Sequence, residues 1–344
     1  MKEANVTAAR TETSEPNLGT LAEMNFSMAA NRVLAAAVQL GVFSQIASGR
    51  AKASEIAAGI QASERGTQML LDALTAFRLL SKKDGNYALS PVAAQHLVRE
   101  SPDYMGFALE KDLLWDSWGH LTDAIRTGKP FRTGEARERA EEFFPTLVRT
   151  LHITNREPAR QLARVLTADA ARPPIHAVDV ACGSGVWGIE LAKADPRTSV
   201  TAQDFPKVLD LTRQYLKRNG VEERFQFLPG DLEEVDFGEA QFDLAILGNI
   251  CHSEGEQASR SLFLRLHRAL RQSGRLVIVD MQPNEDRSGP VYPLVFALNM
   301  LVNTEHGGTF TLNEYTRWLN AAGFLHVETA DIGLHSPVIV GHKG

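Results

Sequence analysis

The stretch from His176 to Ala192 constrains the fold of this chain more than any other. It reads as a short buried apolar strand (His176–Val180), a turn carrying Gly183 and Gly185, and the start of a helix near Val186. Glycines at such a turn remove Cβ atoms where the backbone swings tightly and a ligand approaches, and the helix start aims its free N–H groups at that ligand. The pattern predicts a nucleotide-type pocket at the carboxyl end of a strand. A glycine turn alone is weak evidence, so the partners further along decide.

About 20 residues on, a second apolar strand from Ser199 ends in Asp204 and Phe205, a spacing that suits a carboxylate accepting both hydroxyls of a ribose. A third strand, Phe225–Leu228, leads through Pro229-Gly230 to Asp231 and Leu232, a second acid suited to an adenine amino group. Gly188 completes a G-x-G-x-x-G spacing, so both a dinucleotide and S-adenosyl-L-methionine fit the turn. Carboxylates at Asp179 and Asp231 suit the ammonium and sulfonium of S-adenosylmethionine and repel a pyrophosphate, which favours the methyl donor.

From Ile175 onward strands and helices alternate, predicting a doubly wound, mostly parallel α/β sheet with ligands at the carboxyl strand ends. Strand four, Phe242–Leu247, is followed by Asn249 and His252; strand five, Arg275–Val279, ends in Asp280. Neighbouring strand ends bring a histidine and an acid together, and an acid bonded to one ring nitrogen makes the other a better base. Methyl transfer to a hydroxyl needs such a base. Transfer to a thioether loses no proton, and there the histidine only orients the substrate.

Upstream, residues 21–46 read as one helix that is apolar nearly all round, with Met24, Met28, Val33, Leu34, Val38 and Leu40. A small domain cannot bury such a helix on every side, so a dimer partner is the expected cover. Helices over Ala53–Ile60 and Ser63–Leu80, with Ser63 as N-cap, precede a hairpin over Lys82–Pro91 in the order of a winged helix-turn-helix. The start of the second helix offers only Arg65, offset by Glu64, where a groove-reading helix presents several cations. A scaffold for dimerisation is therefore expected rather than nucleic-acid binding. Residues 101–170 are mostly helical and marked by Trp115, Trp118, Phe131, Phe143 and Phe144; Gly128-Lys129-Pro130 breaks them, and Arg156–Val165 forms a last helix. Some of these aromatics are expected to roof the acceptor pocket.

At 344 residues the chain is long enough for two cores, and a net charge of −6 gives no general attraction to nucleic acid or anionic membrane. No run reaches the apolar length of a membrane span, and residues 1–18 lack the apolar stretch of a signal peptide and read as a disordered tail. Two cysteines, Cys182 and Cys251, fit a reducing cytoplasm and act as small apolar residues rather than as a disulfide or nucleophile. No cluster of Asp, Asn and His with ligand spacing stands near the third and fourth strands, so no metal is expected.

The order Asp179–Gly185, Asp204, Asp231, Ile250-Cys251-His252, Asp280, Met300-Leu301 with Gly307-Gly308, Glu314-Tyr315 and Ala322-Gly323-Phe324 resembles the caffeate and polyketide-type small-molecule O-methyltransferases across nearly the whole chain. The resemblance implies a class I S-adenosylmethionine fold, a Rossmann-like sheet with an all-helical or winged-helix N-terminal dimerisation domain, in an interlocked homodimer. It implies His252 as general base, Asp280 as the acid that orients it, and Met300 and Asn303 on the acceptor-binding helix. The division expected is 1–18 tail, 19–105 winged-helix dimerisation domain, 106–170 helical linker and substrate roof, and 171–344 S-adenosylmethionine-binding domain. Cofactor contacts are expected at Asp179, Gly183, Gly185, Asp204, Phe205, Asp231, Leu232 and Asn249, and acceptor contacts at Trp115, Phe144, His152, Met300, Asn303 and Thr309.

The chain departs from the family pattern at three places. Thr309 and Phe310 stand where plant members carry a second acid, Gly248 and Asn249 replace a lysine and a tryptophan, and the usual His-Asp-Trp run is His252-Ser253-Glu254. Two further readings follow from them. One is S-methylation of a methylthio acid on a route to a sulfoniopropionate, its carboxylate held by some of Arg149, His152, Asn303 and His306. The other is a winged-helix regulator with a degenerate S-adenosylmethionine domain, against which the acids at three strand ends argue.

Overall fold

The computed structural model describes residues 15–344 apart from 111–114, 132–135, 170 and 335, and does not describe the side chains of 136–146. The chain divides into two compact units, Met1–Lys111 and Asp112–Gly344.

In the first unit, α1 (Leu18–Leu40) starts at Asn17, whose side chain accepts the Thr20 N–H at 3.1 Å. Most of the tail expected over 1–18 lies outside the described residues, and Asn17 and Leu18 belong to this helix start. The single helix expected over 21–46 is two: Gly41, left-handed at φ 75°, returns its N–H to Ala37 and Val38 and ends α1 before α2 (Val42–Ala47). A glycine in that conformation closes a helix at little cost, and an apolar pattern alone gives no sign of the break. Then come α3 (Ala53–Gly59), α4 (Glu64–Ala76), the hairpin strands β1 (Leu80–Lys83) and β2 (Asn86–Leu89), α5 (Pro91–His96) and α6 (Phe107–Glu110). Ser63 caps α4 through the Gly66 N–H at 3.1 Å, and Asp84-Gly85 turn the hairpin with positive φ at both residues. Val38, Phe43, Ile56, Leu71, Leu74 and Tyr87 form the core of this unit. The N-terminal half of α1 stays outside it, with Leu18 82%, Met24 67% and Phe26 75% exposed.

The second unit opens with α7 (Trp115–Gly119), α8 (Leu121–Thr127) and α9 (Ala136–Leu166). α9 begins 20 positions before the start expected at Arg156 and runs on through Pro158. An interior proline costs a helix about 3 kcal/mol. Here Ala159, Leu162, Ala163 and Leu166 are buried in one cluster with Val186, Trp187 and Ile189, packing that offsets the cost. The alternating region supplies β3 (His176–Val180), α10 (Val186–Ala194), β4 (Ser199–Asp204), α11 (Pro206–Asn219), β5 (Phe225–Pro229), β6 (Phe242–Gly248), α12 (Cys251–Ala269), β7 (Leu270–Val279), α13 (Val291–Asn303), α14 (Leu312–Ala321), β8 (His326–Ala330) and β9 (Val338–His342). β7 thus starts five positions before Arg275, with a register irregularity opposite Phe242 and Leu244 of β6.

The seven strands lie in the order β5-β4-β3-β6-β7-β9-β8, and β9 runs antiparallel to both neighbours. Alternate residues of the central strands enter opposite cores. Ala177, Leu244, Ile246 and Val277 pack with residues of α9, α10 and α11 on one face, while Val178, Val180, Ala245, Leu247 and Ile278 pack with residues of α12 and α14 on the other. Strand order reverses between β3 and β6. In an open α/β sheet a ligand crevice forms outside the carboxyl ends of the strands at such a reversal.

Candidate active site

β3 ends in a turn with strained backbone: Ala181 adopts φ 49°, and Gly183 and Gly185 are at φ 56° and 73°. A left-handed non-glycine residue is uncommon and costs of order 1–3 kcal/mol, and such residues collect at ligand sites. The turn is held from several sides. Gln203 accepts the Ala181 N–H at 3.1 Å and donates to the Gly230 carbonyl at 2.9 Å, and Thr212 donates to the Gly183 carbonyl at 2.7 Å. At Gly185 an added Cβ would stand 3.1 Å from the Thr212 methyl in a backbone region that side chains rarely adopt, so glycine is required there. At Gly183 a Cβ would make ordinary contact with a Val148 methyl at 3.5 Å, so there the left-handed φ, rather than crowding, favours glycine.

Asp204, at the end of β4, accepts the Gly183 N–H on one oxygen (2.8 Å) and the Phe205 N–H on the other (2.7 Å). Burial raises its carboxyl to about 6, against the two N–H groups, which lower it. Asp179 is wholly buried in β3. One oxygen accepts the Gly188 N–H at 3.0 Å, the other has no partner among the described residues, and burial pushes the carboxyl up to about 7. Asp231, after β5, accepts the Glu233 N–H at 3.0 Å, and Leu232 packs against the core while Phe205 stands on the surface.

Beyond β6 the backbone turns at Asn249, left-handed at φ 60°, whose N–H still pairs with the Val279 carbonyl at 2.8 Å. α12 starts at once, and its first turn, Cys251–Glu254, is set off by a kink at Gly255. Because β6 and β7 are adjacent and parallel, His252 and Asp280 meet: Nδ1 of His252 lies 2.6 Å from one Asp280 oxygen, and the His252 N–H donates to the other at 3.0 Å. Both side chains are buried, and no described residue bonds to Nε2 of His252. Asp280 also accepts the Met281 N–H at 2.8 Å and the Tyr315 hydroxyl at 3.0 Å. Phe296 of α13 meets the His252 ring edge-on, with centroids 5.0 Å apart. Burial, and then Glu233 and Asp231, raise the Glu254 carboxyl.

The residues expected at the acceptor spread more widely. Met300 is buried on α13, its sulfur 4.0 Å from the Ser253 hydroxyl, and Asn303 is exposed and donates back to Asn299. Asn299 in turn accepts the indole N–H of Trp118 at 3.1 Å, tying α7 to α13. Trp115 is 45% exposed. His152 lies at the glycine turn, 2.9 Å from the Ser184 hydroxyl and against the Tyr215 ring. Thr309 is buried and donates its hydroxyl to the Pro293 carbonyl at 3.2 Å. The Phe144 side chain lies outside the described residues. No local signal in the sequence marks Trp187, Gln203, Phe296 or Asn299 as neighbours of these strand ends, and Tyr315 stands there only within a motif. Gly248 has a local reason: a Cβ there would overlap the Trp187 indole nitrogen, so no larger residue fits without moving that ring.

A model of the O-methyltransferase domain matches residues 118–325, and a model of the O-methyltransferase dimerisation domain matches residues 22–99. The chain belongs to the O-methyltransferase family. This O-methyltransferase is 32% identical to 3-hydroxy-5-methyl-1-naphthoate 3-O-methyltransferase of Streptomyces sahachiroi, over 87% of each chain. It is 28% identical to the tetracenomycin polyketide synthesis 8-O-methyl transferase of Streptomyces glaucescens, over 94% of this chain and 96% of that one. The structure of human N-acetylserotonin methyltransferase in complex with S-adenosylmethionine superposes with a TM-score of 0.82 at 25% identity, covering 97% of this chain and 99% of that one. The enzyme is thus an S-adenosylmethionine-dependent methyltransferase with a helical N-terminal dimerisation domain. Carboxylates at the end of β4 and after β5, beside the left-handed turn at Ala181–Gly185, are an acceptor set compatible with the hydroxyl and amino groups of that cofactor. Among the described residues no helix is long and apolar enough to cross a membrane.

Proposed function

We propose that this enzyme methylates a hydroxyl oxygen of a small aromatic acceptor, with His252 as general base and Asp280 as the acid that orients it. The observation that carries the reading is the 2.6 Å contact between Nδ1 of His252 and Asp280, which turns Nε2 away from the carboxylate. With Nδ1–H committed to Asp280, Nε2 is the acceptor nitrogen and takes the hydroxyl proton as the oxygen becomes nucleophilic. S-adenosylmethionine, when bound, supplies the electrophilic methyl group. Asp204 and Asp231 would hold its ribose and adenine, with Asp179, Gly183, Gly185, Phe205, Leu232 and Asn249 around them. Phe296, Met300, Trp115 and Trp118 give α7 and α13 an apolar, aromatic character suited to a flat acceptor, and Asn303 adds a polar group. Relatives named for O-methylation of a hydroxynaphthoate, a polyketide and acetylserotonin support the same acceptor class.

The active molecule on this reading is a homodimer through the exposed apolar half of α1, since a helical stretch that exposes Leu18, Met24 and Phe26 on several sides is costly to leave in water.

The test follows release of S-adenosylhomocysteine with two acceptor panels, phenolic or polyketide hydroxyls and small thiols or thioethers. Turnover of a phenol is expected, with His252→Ala slowing it by roughly 10²–10⁴-fold while cofactor affinity stays near normal. Turnover confined to sulfur acceptors, and persisting in His252→Ala, would replace this reading by S-methylation.

A further inference from the structure

The hydroxyl of Tyr315 reaches the catalytic pair from the far side of Asp280, on an element remote in sequence from the cofactor turn. Tyr315 lies in the first turns of α14, where Thr311 and Glu314 form a reciprocal cap: the Thr311 hydroxyl accepts the Glu314 N–H at 3.2 Å, and the Glu314 carboxylate accepts the Thr311 N–H at 2.7 Å. The cap sets the start of the helix and so the rotation that aims Tyr315 inward. Its ring is wholly buried, edge-on to Phe310 (5.9 Å, 89°) and Trp318 (5.5 Å, 74°) and tilted against Phe263 (6.4 Å, 34°). Burial, and then the nearby Asp280 charge, hold the phenol well above its ordinary range, so it stays a donor throughout the working range of pH.

We infer that Tyr315 is a positioning residue for methyl transfer, its hydroxyl locking the Asp280 carboxylate in the one orientation that presents His252 to the acceptor. The inference rests on the reading of His252 as base. Asp280 receives two donors on each oxygen: the His252 ring and the Met281 N–H on one, the His252 N–H and the Tyr315 hydroxyl on the other. Three of these belong to the β6–α12 and β7 connections. Tyr315 alone comes from a separate element, so it ties the end of β7 to α14 and opposes rotation of the carboxylate. Thr309, which stands where plant members of the family carry a second acid, gives its hydroxyl to the Pro293 carbonyl. The further support for the pair thus reaches Asp280 rather than the histidine. A ring that merely filled the core would serve as well without its hydroxyl.

Tyr315→Phe removes the hydroxyl and keeps the ring. A hydrogen bond to a buried charge supports a fall in kcat of about tenfold to a hundredfold with a weakly acidic phenol, with KM and cofactor affinity within about twofold of wild type on that principle. The deficit should shrink along a series of increasingly acidic phenols and vanish with one already ionised at the assay pH, because that acceptor needs no base. 3-Fluorotyrosine installed at position 315 keeps the donor and should retain the wild-type rate. Phe310→Leu, which loosens the ring contacts and spares the hydroxyl, should not reproduce the acidity-dependent loss. A wild-type rate in Tyr315→Phe, or an equal loss for every acceptor, would overturn the inference. His252→Ala in the same series separates the two readings: if it also keeps its rate on weakly acidic phenols, the base assignment has failed. If only Tyr315→Phe keeps its rate, the positioning role alone has failed.

Discussion

Asp179→Asn probes a buried carboxyl with one oxygen unpartnered among the described residues. The carboxyl is fully buried in the central strand, bonded only by the Gly188 N–H among the described residues, and raised from 3.8 to about 7, chiefly by burial. An acid with a raised pKa keeps its proton in the folded state at pH values where the unfolded chain has lost it. Between about 4 and 7 the unfolded state therefore binds fewer protons, stability falls as pH rises through that window, and above it the loss is constant. At about 1.36 kcal/mol per pH unit the full loss is about 4 kcal/mol. Asparagine removes the charge and can still accept the Gly188 N–H, but it buries an amide donor at a cost of about 1–3 kcal/mol. The variant should accordingly be more stable than wild type by about 1–3 kcal/mol at pH 8 and equal or less stable near pH 4.5. All four tryptophans, Trp115, Trp118, Trp187 and Trp318, lie in the sheet-bearing unit, so denaturant unfolding followed by tryptophan fluorescence reports that unit directly. The same variant should bind S-adenosylmethionine more weakly if the charge serves the cofactor, so that stability is given up for function. A difference in stability that does not change between pH 4.5 and 8 would refute the reasoning.

Asp204→Ala should weaken cofactor binding without unfolding the sheet unit. Because the Asp204 carboxyl is raised to about 6, wild-type affinity should climb as pH rises through that value, and the variant should lose the climb; calorimetric titration from pH 5 to 8 reads both. Gly248→Ala should destabilise the sheet unit by about 1–3 kcal/mol, since the new methyl displaces the Trp187 indole, and an unchanged denaturation midpoint would count against that packing. Phe26→Glu, on the exposed stretch of α1, should convert a dimer into monomers in light scattering, whereas a dimer of unchanged stability would move the interface elsewhere.

Much of the sheet was legible because its determinants are local. Short apolar runs, a glycine-bearing turn and an acid at a strand end are each written within a few consecutive residues, so β3, β4 and β5 and the places of Asp179, Asp204 and Asp231 at or near strand ends could be read directly. The proximity of His252 and Asp280 was also predictable, since both follow strands that a doubly wound order makes neighbours. Helix ends were read less well. The break at Gly41 and the run of α9 through Pro158 depend on capping and on packing against α10, which the apolar pattern does not record. What surrounds the His252–Asp280 pair was decided by tertiary structure alone. Phe296 and Tyr315 reach it from α13 and α14, His152 turns to Ser184 and Thr309 to Pro293, and Gly248 makes way for Trp187. The physical reason is common to all of these. A strand end announces a group's place in its own few residues, whereas a hydrogen bond or ring contact between distant elements depends on helix rotation and on how two cores close around one sheet.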